Sequence, residues 1–563
     1  MPWMFPTMDS HGWITGIKAE PALRDAIATD QKRVIPEAEA DSPTPDKFRL
    51  LATGQQASVT AFCISQLYIL STMSREIDID EVAKRNHAGE CWVIINGFVY
   101  DVTDFVQSHP GGAASILQYA GKDATEEYEP IHPPGTLETS LPKEKCLGQV
   151  SLAQRLSTLP EPQPQGKVQT KHKPISTCVN LFDFEEVARS RLSTRAWIYY
   201  SSSSEDSLTF SSNRQDWQSL GFRPRVMRNV HTVRTNRAML GHRSTLPIFI
   251  APAALARLGH PDGELCLARG AVRWNIPYAV STASSTSFED LANCVQSEQK
   301  KQPGGTLWFQ LYVKKERSET EALIHQARSL GYSALLVTVD TAAVAPREED
   351  DRYKLELAAQ SGDPVTEMFT AKVLTEGEQP AYRAPYSVKL KWRDLEWIRA
   401  AWNNAGPIAL KGIATAEDAL LACNAGIDCI YLSNHGGRQL DGSPSALRTL
   451  LEIRQSCPLV LERCAILLDG GVRRGSDVIK ALCLGAAGVG LGRPFMFALS
   501  AYGTEGVLRA IQMMDHEIQT TMRLLGVSSL DELGPQYVNT WALARTLQSY
   551  HEHKGTFLES SKL

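Results

Sequence analysis

The sequence predicts an α/β protein: a (β/α)8 barrel preceded by a small α+β unit. Between residues 247 and 492, eight apolar strand-like runs alternate with amphipathic helical patterns, the order and count of a (β/α)8 barrel. Polar residues fall at the carboxyl ends of run after run, the end where such barrels keep their chemistry. Upstream, Cys91 to Ile95, a turn at Asn96-Gly97, and Phe98 to Val102 read as a β-hairpin inside a separate small unit.

The bulk numbers agree. A chain of 563 residues has room for two or three domains. With 43% hydrophobic residues, 21% charged residues and a net charge of -5, the profile is that of an ordinary soluble globular protein. It lacks the basic excess that a nucleic-acid partner requires. The 11 cysteines are scattered without a CxxC pair, so reduced thiols and an intracellular protein are expected. The absence of CxxCH excludes covalent c-type haem.

Composition divides the chain into five parts. Residues 1–75 have no sustained period and include PEAEADSPTPDK, which predicts poor order. Their most apolar stretch, Ala57 to Thr72, is too short and too polar to span a membrane. Met73 opens directly onto the small unit, so a functional chain beginning there is one expectation. Residues 76–152 form that unit, and 153–177 a Pro/Gln-rich, extended linker,. Residues 178–545 form the barrel. The tail, 546–563, ends in Ser561-Lys562-Leu563, the form of a peroxisomal address; the mitochondrial intermembrane space and the cytoplasm are the alternatives.

In the small unit, His109 stands in a Ser-His-Pro-Gly-Gly stretch and His132 follows 23 residues later, with a helix expected over 113–120 between them. Two loop histidines flanking short helices are placed to ligate one haem iron from opposite faces. In the barrel, Gln310 and Tyr312 end the third run, Thr338 and Asp340 the fourth, and Lys411 the fifth. After the sixth comes Ser433-Asn434-His435-Gly436-Gly437-Arg438. There a histidine can move a proton near neutral pH and an arginine can grip a carboxylate at two points. Asp469-Gly470-Gly471-Val472-Arg473 ends the seventh run and Gly490-Leu491-Gly492-Arg493 the eighth. Glycine amides with arginines there make a phosphate cradle. Between Arg347 and Lys391 the rhythm breaks, and EEDDRYKLELAAQSGDPVTEMFT shows no clear period; a lid or mobile loop is expected. The segment Gly506 to Leu525 is either a subunit contact or the barrel's last helix.

Residues 77–150 resemble a cytochrome b5 domain. The resemblance implies His109 and His132 as axial ligands of a non-covalent haem b that carries electrons. With SNHGGRQLD, DGGVRRGSDVIKALCLGAAGVGLGRP, FQLYV and VTVD, residues 179–545 resemble the FMN-dependent family that oxidises L-2-hydroxy acids. That resemblance implies His435 as the base that takes a proton from substrate and Asp340 as the stabiliser of the resulting imidazolium. It assigns Arg438 and Tyr199 to the substrate carboxylate, with Arg347 in support, and Tyr312 to its hydroxyl. Lys411 is implied at the flavin N1/O2 edge. Pro252, Ala253, Ala254, Ser281, Gln310, Thr338 and Ser433 are implied around the isoalloxazine. Asp469, Gly470, Gly471, Arg473, Gly492 and Arg493 are implied at the ribityl chain and phosphate.

The implied activity is oxidation of an L-2-hydroxy acid, foremost L-lactate to pyruvate. Electrons would pass through FMN and haem to an acceptor such as cytochrome c, in a homo-oligomer that the family makes a tetramer. The alternatives are a peroxisomal oxidase that gives hydrogen peroxide and a non-catalytic haem electron-transfer protein. Three departures from the family pattern bear on detail. Ser202, Ser203 and Ser204 follow Tyr199-Tyr200 where glycine is usual, with an altered turn expected. Ala253 replaces a threonine, and Ala283 is smaller than in relatives, leaving room for more than a methyl group.

Overall fold

Alternation in Glu90–Ile95 (β3) drives the first layer of packing: Cys91, Val93 and Ile95 point into one buried cluster and Ile94 into another, as a pleated strand requires. The structure is a computed structural model that describes residues 76–109, 113–133, 135–150, 173–361 and 386–547, together with a two-residue strand pair, Thr7–Met8 with Ile14–Thr15. Most of the segment expected to be poorly ordered, most of the linker, and the terminal Ser561-Lys562-Leu563 lie outside the described residues.

β3 turns back through Asn96 and Gly97, whose φ angles of 54° and 79° are those of the left-handed turn that hairpins favour. It pairs with Phe98–Asp101 (β4), Ile95 opposite Phe98. With Glu76–Ile77 (β1), Asn86–His87 (β2) and Cys146–Val150 (β5), they form a five-stranded sheet in the order β1-β5-β4-β3-β2. Short helices Ala114–Leu117 (α1) and Thr125–Tyr128 (α2) follow on from β4 and lie in the segment between His109 and His132. The expected helix over 113–120 is thus one turn of helix followed by turns.

Three helices, Leu181–Arg191 (α3), Thr194–Ser201 (α4) and Leu208–Ser219 (α5), precede the barrel. The barrel strands are Ile248–Ile250 (β6), Pro277–Ser281 (β7), Thr306–Tyr312 (β8), Leu335–Thr338 (β9), Ile408–Ile413 (β10), Cys429–Leu432 (β11), Ala465–Leu468 (β12) and Gly488–Leu491 (β13). All are parallel neighbours in chain order, and β13 closes on β6. Register decides where the chemistry sits: Tyr312 pairs with Thr338, Thr338 with Lys411, and Lys411 with Tyr431. The expected polar ends are therefore level with one another around one rim.

Inside the barrel Phe249, Trp308 and Tyr431 are fully buried and meet at ring separations of 5.2 Å and 5.4 Å. Gly490 is required beside them, because a Cβ there would stand 2.7 Å from the Phe249 ring. One element differs from expectation, and a second decides between two that were left open. Glu348–Ser361 is a helix (α6) despite its lack of an amphipathic period. Four acidic residues fill its first turn, which the helix dipole favours, and Lys354 pairs with Asp350 at i,i+4,. The rest of the expected lid, 362–385, lies outside the described residues. Arg493–Leu525 (α7) runs through a kink at Tyr502-Gly503 and buries Val507, Ile511 and Met514 completely. It packs on α3, so this segment is the barrel's last helix.

The aromatic plug sets a stability prediction. Trp308→Ala removes a fully buried indole and should cost about 3–5 kcal/mol, read as an earlier urea midpoint for barrel unfolding with the haem unit's own transition unmoved.

Candidate active site

One cavity of about 800 Å³ opens at the carboxyl rim of the strands. Its walls come from loops that fold inward because glycine lets them. After β11 the chain takes left-handed φ angles at His435, Gly436 and Gly437 (59°, 67° and 79°). A Cβ at Gly437 would strike the Phe210 backbone at 2.8 Å, so only glycine lets this loop lie against α5.

His435 is held at both ring nitrogens. Its Nδ1 lies 3.1 Å from each carboxylate oxygen of Asp340, and its Nε2 lies 3.2 Å from the Tyr312 hydroxyl. Burial would raise the Asp340 carboxyl, but the charges of His435 and Lys411 outweigh it and hold the group below its usual range. Asp340 thus stays anionic, fixes the Nδ1 proton and leaves Nε2 facing the cavity. Tyr312 is stacked on Tyr386 at 4.2 Å. Burial, then the neighbouring Tyr386, pushes its phenol well up, so it acts as a neutral hydroxyl.

The cationic groups stand at two places. Arg438 donates to the carbonyls of Tyr199 (2.6 Å) and Ser202 (3.3 Å), the end of α4, where a cation suits the helix dipole. Burial and then the nearby Arg347 push its pKa down to about 10. Both guanidiniums lie over the Tyr199 ring, at 5.0 Å and 5.7 Å. Arg493 donates to Tyr200, Gly436 and Ser202 carbonyls at 2.7–2.9 Å. Burial, then Arg438 and Arg473, push it down to about 9. Arg473 bonds Glu185 at 2.8 Å, and burial lowers its pKa too. Arg438 and Arg493, each buried and depressed by a like-charged neighbour, are a standing demand for anions. Here there are two such demands, one at Arg438/Arg347 and one at Arg473/Arg493.

Between them a buried polar chain runs from Lys411 Nζ to Ser433 Oγ (3.0 Å) and from Ser433 Oγ to Asp469 (2.6 Å), with Tyr431 donating to the other Asp469 oxygen (2.7 Å). Glu264, fully buried, accepts from the amides of Ala256 and Ser285 and from the hydroxyls of Ser285 and Thr286. It thereby ties together the loops that carry Pro252 to Ala254 and Ala283.

Of the expected residues, the cavity wall gathers Tyr199, Pro252, Ala253, Ala254, Ser281, Tyr312, Arg347, Lys411, His435, Arg438, Asp469, Gly470, Gly471, Arg473, Gly492 and Arg493. Asp340 and Ser433 are bonded to the lining residues His435 and Lys411, and Gln310 and Thr338 are buried nearby in β8 and β9. Gln310 donates to Thr338 at 2.8 Å, and Thr338 borders a second cavity of about 270 Å³. The serines after Tyr200 do not disturb their turn, because the left-handed angles fall on Glu205 and Ser207. Ser204 instead donates to the Gly437 carbonyl and helps hold the His435 loop. Sequence reasoning missed Tyr386, Glu185 and Asn213, which also line the cavity. Asn213 pairs reciprocally with Asn434 at 2.8–2.9 Å. None of the three sits in a strand-end pattern.

In the small unit, the His109 and His132 rings are 6.1 Å apart between centroids. An iron held by two imidazole nitrogens at about 2 Å each, with roughly 1 Å more to each ring centre, needs about that spacing. His132 Nδ1 lies 3.1 Å from the Tyr128 carbonyl, which leaves Nε2 for a metal. Burial lowers its pKa and favours the neutral, ligating ring.

Comparison with known proteins adds the following. A family model described as FMN-dependent dehydrogenase matches residues 188–540, and one described as cytochrome b5-like haem/steroid binding domain matches residues 78–151. L-lactate dehydrogenase (cytochrome) of Wickerhamomyces anomalus is 39% identical over 475 residues, 83% of this chain and 80% of the relative. A peroxisomal (S)-2-hydroxyacid oxidase of Arabidopsis thaliana is 37% identical over 365 residues, 64% of this chain and 96% of the relative. A solved structure of a mutant flavocytochrome b2 with pyruvate bound superposes with a TM-score of 0.59 at 35% identity, covering 68% of this chain and 93% of that one.

The anion demand at Arg473 is testable with flavins that differ only in a phosphate. Arg473→Gln should weaken FMN binding to the flavin-free protein by about ten- to a hundredfold and leave riboflavin binding nearly unchanged, as read by flavin fluorescence quenching.

Proposed function

Because the chain belongs to the FMN-dependent dehydrogenase family and carries a cytochrome b5-like haem domain, we propose that it oxidises L-lactate to pyruvate and delivers the electrons through its haem to a one-electron acceptor such as cytochrome c. Residues 76–152 serve as the electron carrier and 178–545 as the oxidising domain. The observation that carries this reading is the pairing in one cavity of two buried cationic ends with a carboxylate-backed histidine between them. When bound, FMN would accept the two electrons of the alcohol, and a haem held by His109 and His132 would pass them on singly.

The chain's own residues do the rest. Arg438, with Arg347 and the Tyr199 ring beside it, binds the substrate carboxylate and so fixes the hydroxyl-bearing carbon in front of His435. Tyr312 holds the substrate hydroxyl in the position that its contact with His435 now occupies. His435 Nε2 accepts a substrate proton, and Asp340 stabilises the imidazolium through Nδ1. Lys411 places a positive charge where electron density gathers on the flavin. Arg473 and the Gly470-Gly471 and Gly492 amides bind the phosphate. Arg493, anchored by three backbone carbonyls, adds charge and holds the loop. Among the described residues, no helix is long and apolar enough to cross a membrane.

The pocket also speaks to substrate range. Ala254 and Ala283 line the same cavity as Tyr312 and His435 with small side chains, which leaves room for 2-hydroxy acids longer than lactate. Ala283→Leu should lower kcat/KM for an aromatic L-2-hydroxy acid at least about tenfold relative to L-lactate. Equal losses for both acids would place Ala283 outside the side-chain pocket.

Turnover of the flavin- and haem-loaded protein with oxygen and cytochrome c offered separately tests the reading. Cytochrome c reduction that outruns peroxide formation supports the dehydrogenase; the reverse makes the protein an oxidase like its peroxisomal relatives. His435→Gln should slow flavin bleaching by lactate about a hundred- to ten-thousandfold while FMN remains bound, and near-normal bleaching would remove His435 from its role.

A further inference from the structure

Arg195 has no part in the site just described, yet it sits badly for a residue of no consequence. It lies in the first turn of α4, where the helix dipole disfavours a cation. Its guanidinium is instead paired across the chain with the carboxylate of Glu127, in α2 of the haem unit. Both side chains are partly exposed, at 31% and 42%, so the pair is open to screening by salt.

The neighbourhood makes this pair the edge of a contact. Tyr119 of the haem unit is partly buried and interacts with Glu127, with Arg195 and with Tyr353 of α6. α6 in turn packs against α4. From Arg195, α4 rises about 6 Å to Tyr199, which lies under Arg438 and Arg347 in the substrate cavity. A single helix thus touches the haem unit at its first turn and the substrate cavity near its end.

Resting on the dehydrogenase reading, we propose that the Arg195–Glu127 pair is the latch that docks the haem unit on the barrel for electron transfer. Each acid oxidised to its 2-oxo acid releases two electrons and two protons. Two ferric haem reductions, one electron at a time, and two reoxidations by ferric cytochrome c complete the balance. The latch acts on these crossings and not on substrate oxidation. Undocking the haem unit slows haem reduction and leaves flavin reduction alone. Salt does the same to the native protein.

The test uses the full-length flavin- and haem-loaded protein, its Arg195→Glu and Glu127→Arg variants, and the double charge swap. Flavin bleaching and haem reduction are followed together after anaerobic mixing with L-lactate. Each single reversal should slow haem reduction about tenfold at low salt with flavin bleaching within twofold of native. The double swap should recover most of the loss. Small-angle X-ray scattering supplies a readout independent of turnover: each single reversal should enlarge the radius of gyration and the swap should restore it. Native-like haem reduction in both single variants, or a double swap no better than the singles, overturns the latch. Should lactate fail to bleach the flavin at all, the dehydrogenase reading falls, and photoreduction of the flavin still measures the crossing and decides the latch separately.

Discussion

Crowded, partly compensated positive charge in a closed space is the constraint around which this barrel is arranged. Arg347, Arg438, Arg473 and Arg493 border one cavity, and burial together with mutual repulsion depresses Arg438 and Arg493. Buried guanidiniums on their own are costly. Here the cost is offset by backbone: the carbonyls of Tyr199, Tyr200 and Ser202 at the end of α4, and that of Gly436. Those bonds fix Arg438 and Arg493 without neutralising them, so each keeps its appetite for an anion. Much else follows, including the glycine loop after β11, the serines after Tyr200, and Glu185 facing Arg473.

The same economy explains the centre of the site. His435 would rotate freely on a glycine-rich loop. Asp340 and Tyr312 hold its two nitrogens, and Ser433 accepts its amide. Parallel register brings these groups together from separate strands, since Tyr312, Thr338, Lys411 and Tyr431 share one level around the rim. The rim is in turn carried by a barrel whose interior is filled with interlocking aromatics. Tyr431 belongs to both, level with Lys411 at the rim and packed on Phe249 inside.

Most of this was legible in the sequence because period and punctuation are local. The eight strands, the hairpin at Asn96-Gly97 and the helix Ala416–Asn424 announce themselves in apolar runs bounded by turn residues. The site was legible because its groups sit at strand ends, where a barrel puts them. What stayed hidden depends on tertiary partners. α6 has no apolar stripe and is held by end charges and ion pairs. Tyr386 reaches the site from a stretch with no period. The hydrogen bond from Gln310 to Thr338 likewise joins two strands and has no local mark. Nothing in the local sequence marks Glu127 and Arg195 as partners; only folding brings them together.

The measurement that bears most directly on this account is a crystal structure of the loaded protein soaked with pyruvate. The account predicts the pyruvate carboxylate at Arg438 and Arg347, its carbonyl oxygen within hydrogen-bond reach of Tyr312 and His435, and a phosphate at Arg473. Pyruvate bound with its carboxylate turned away from Arg438, or a phosphate held elsewhere, would contradict it.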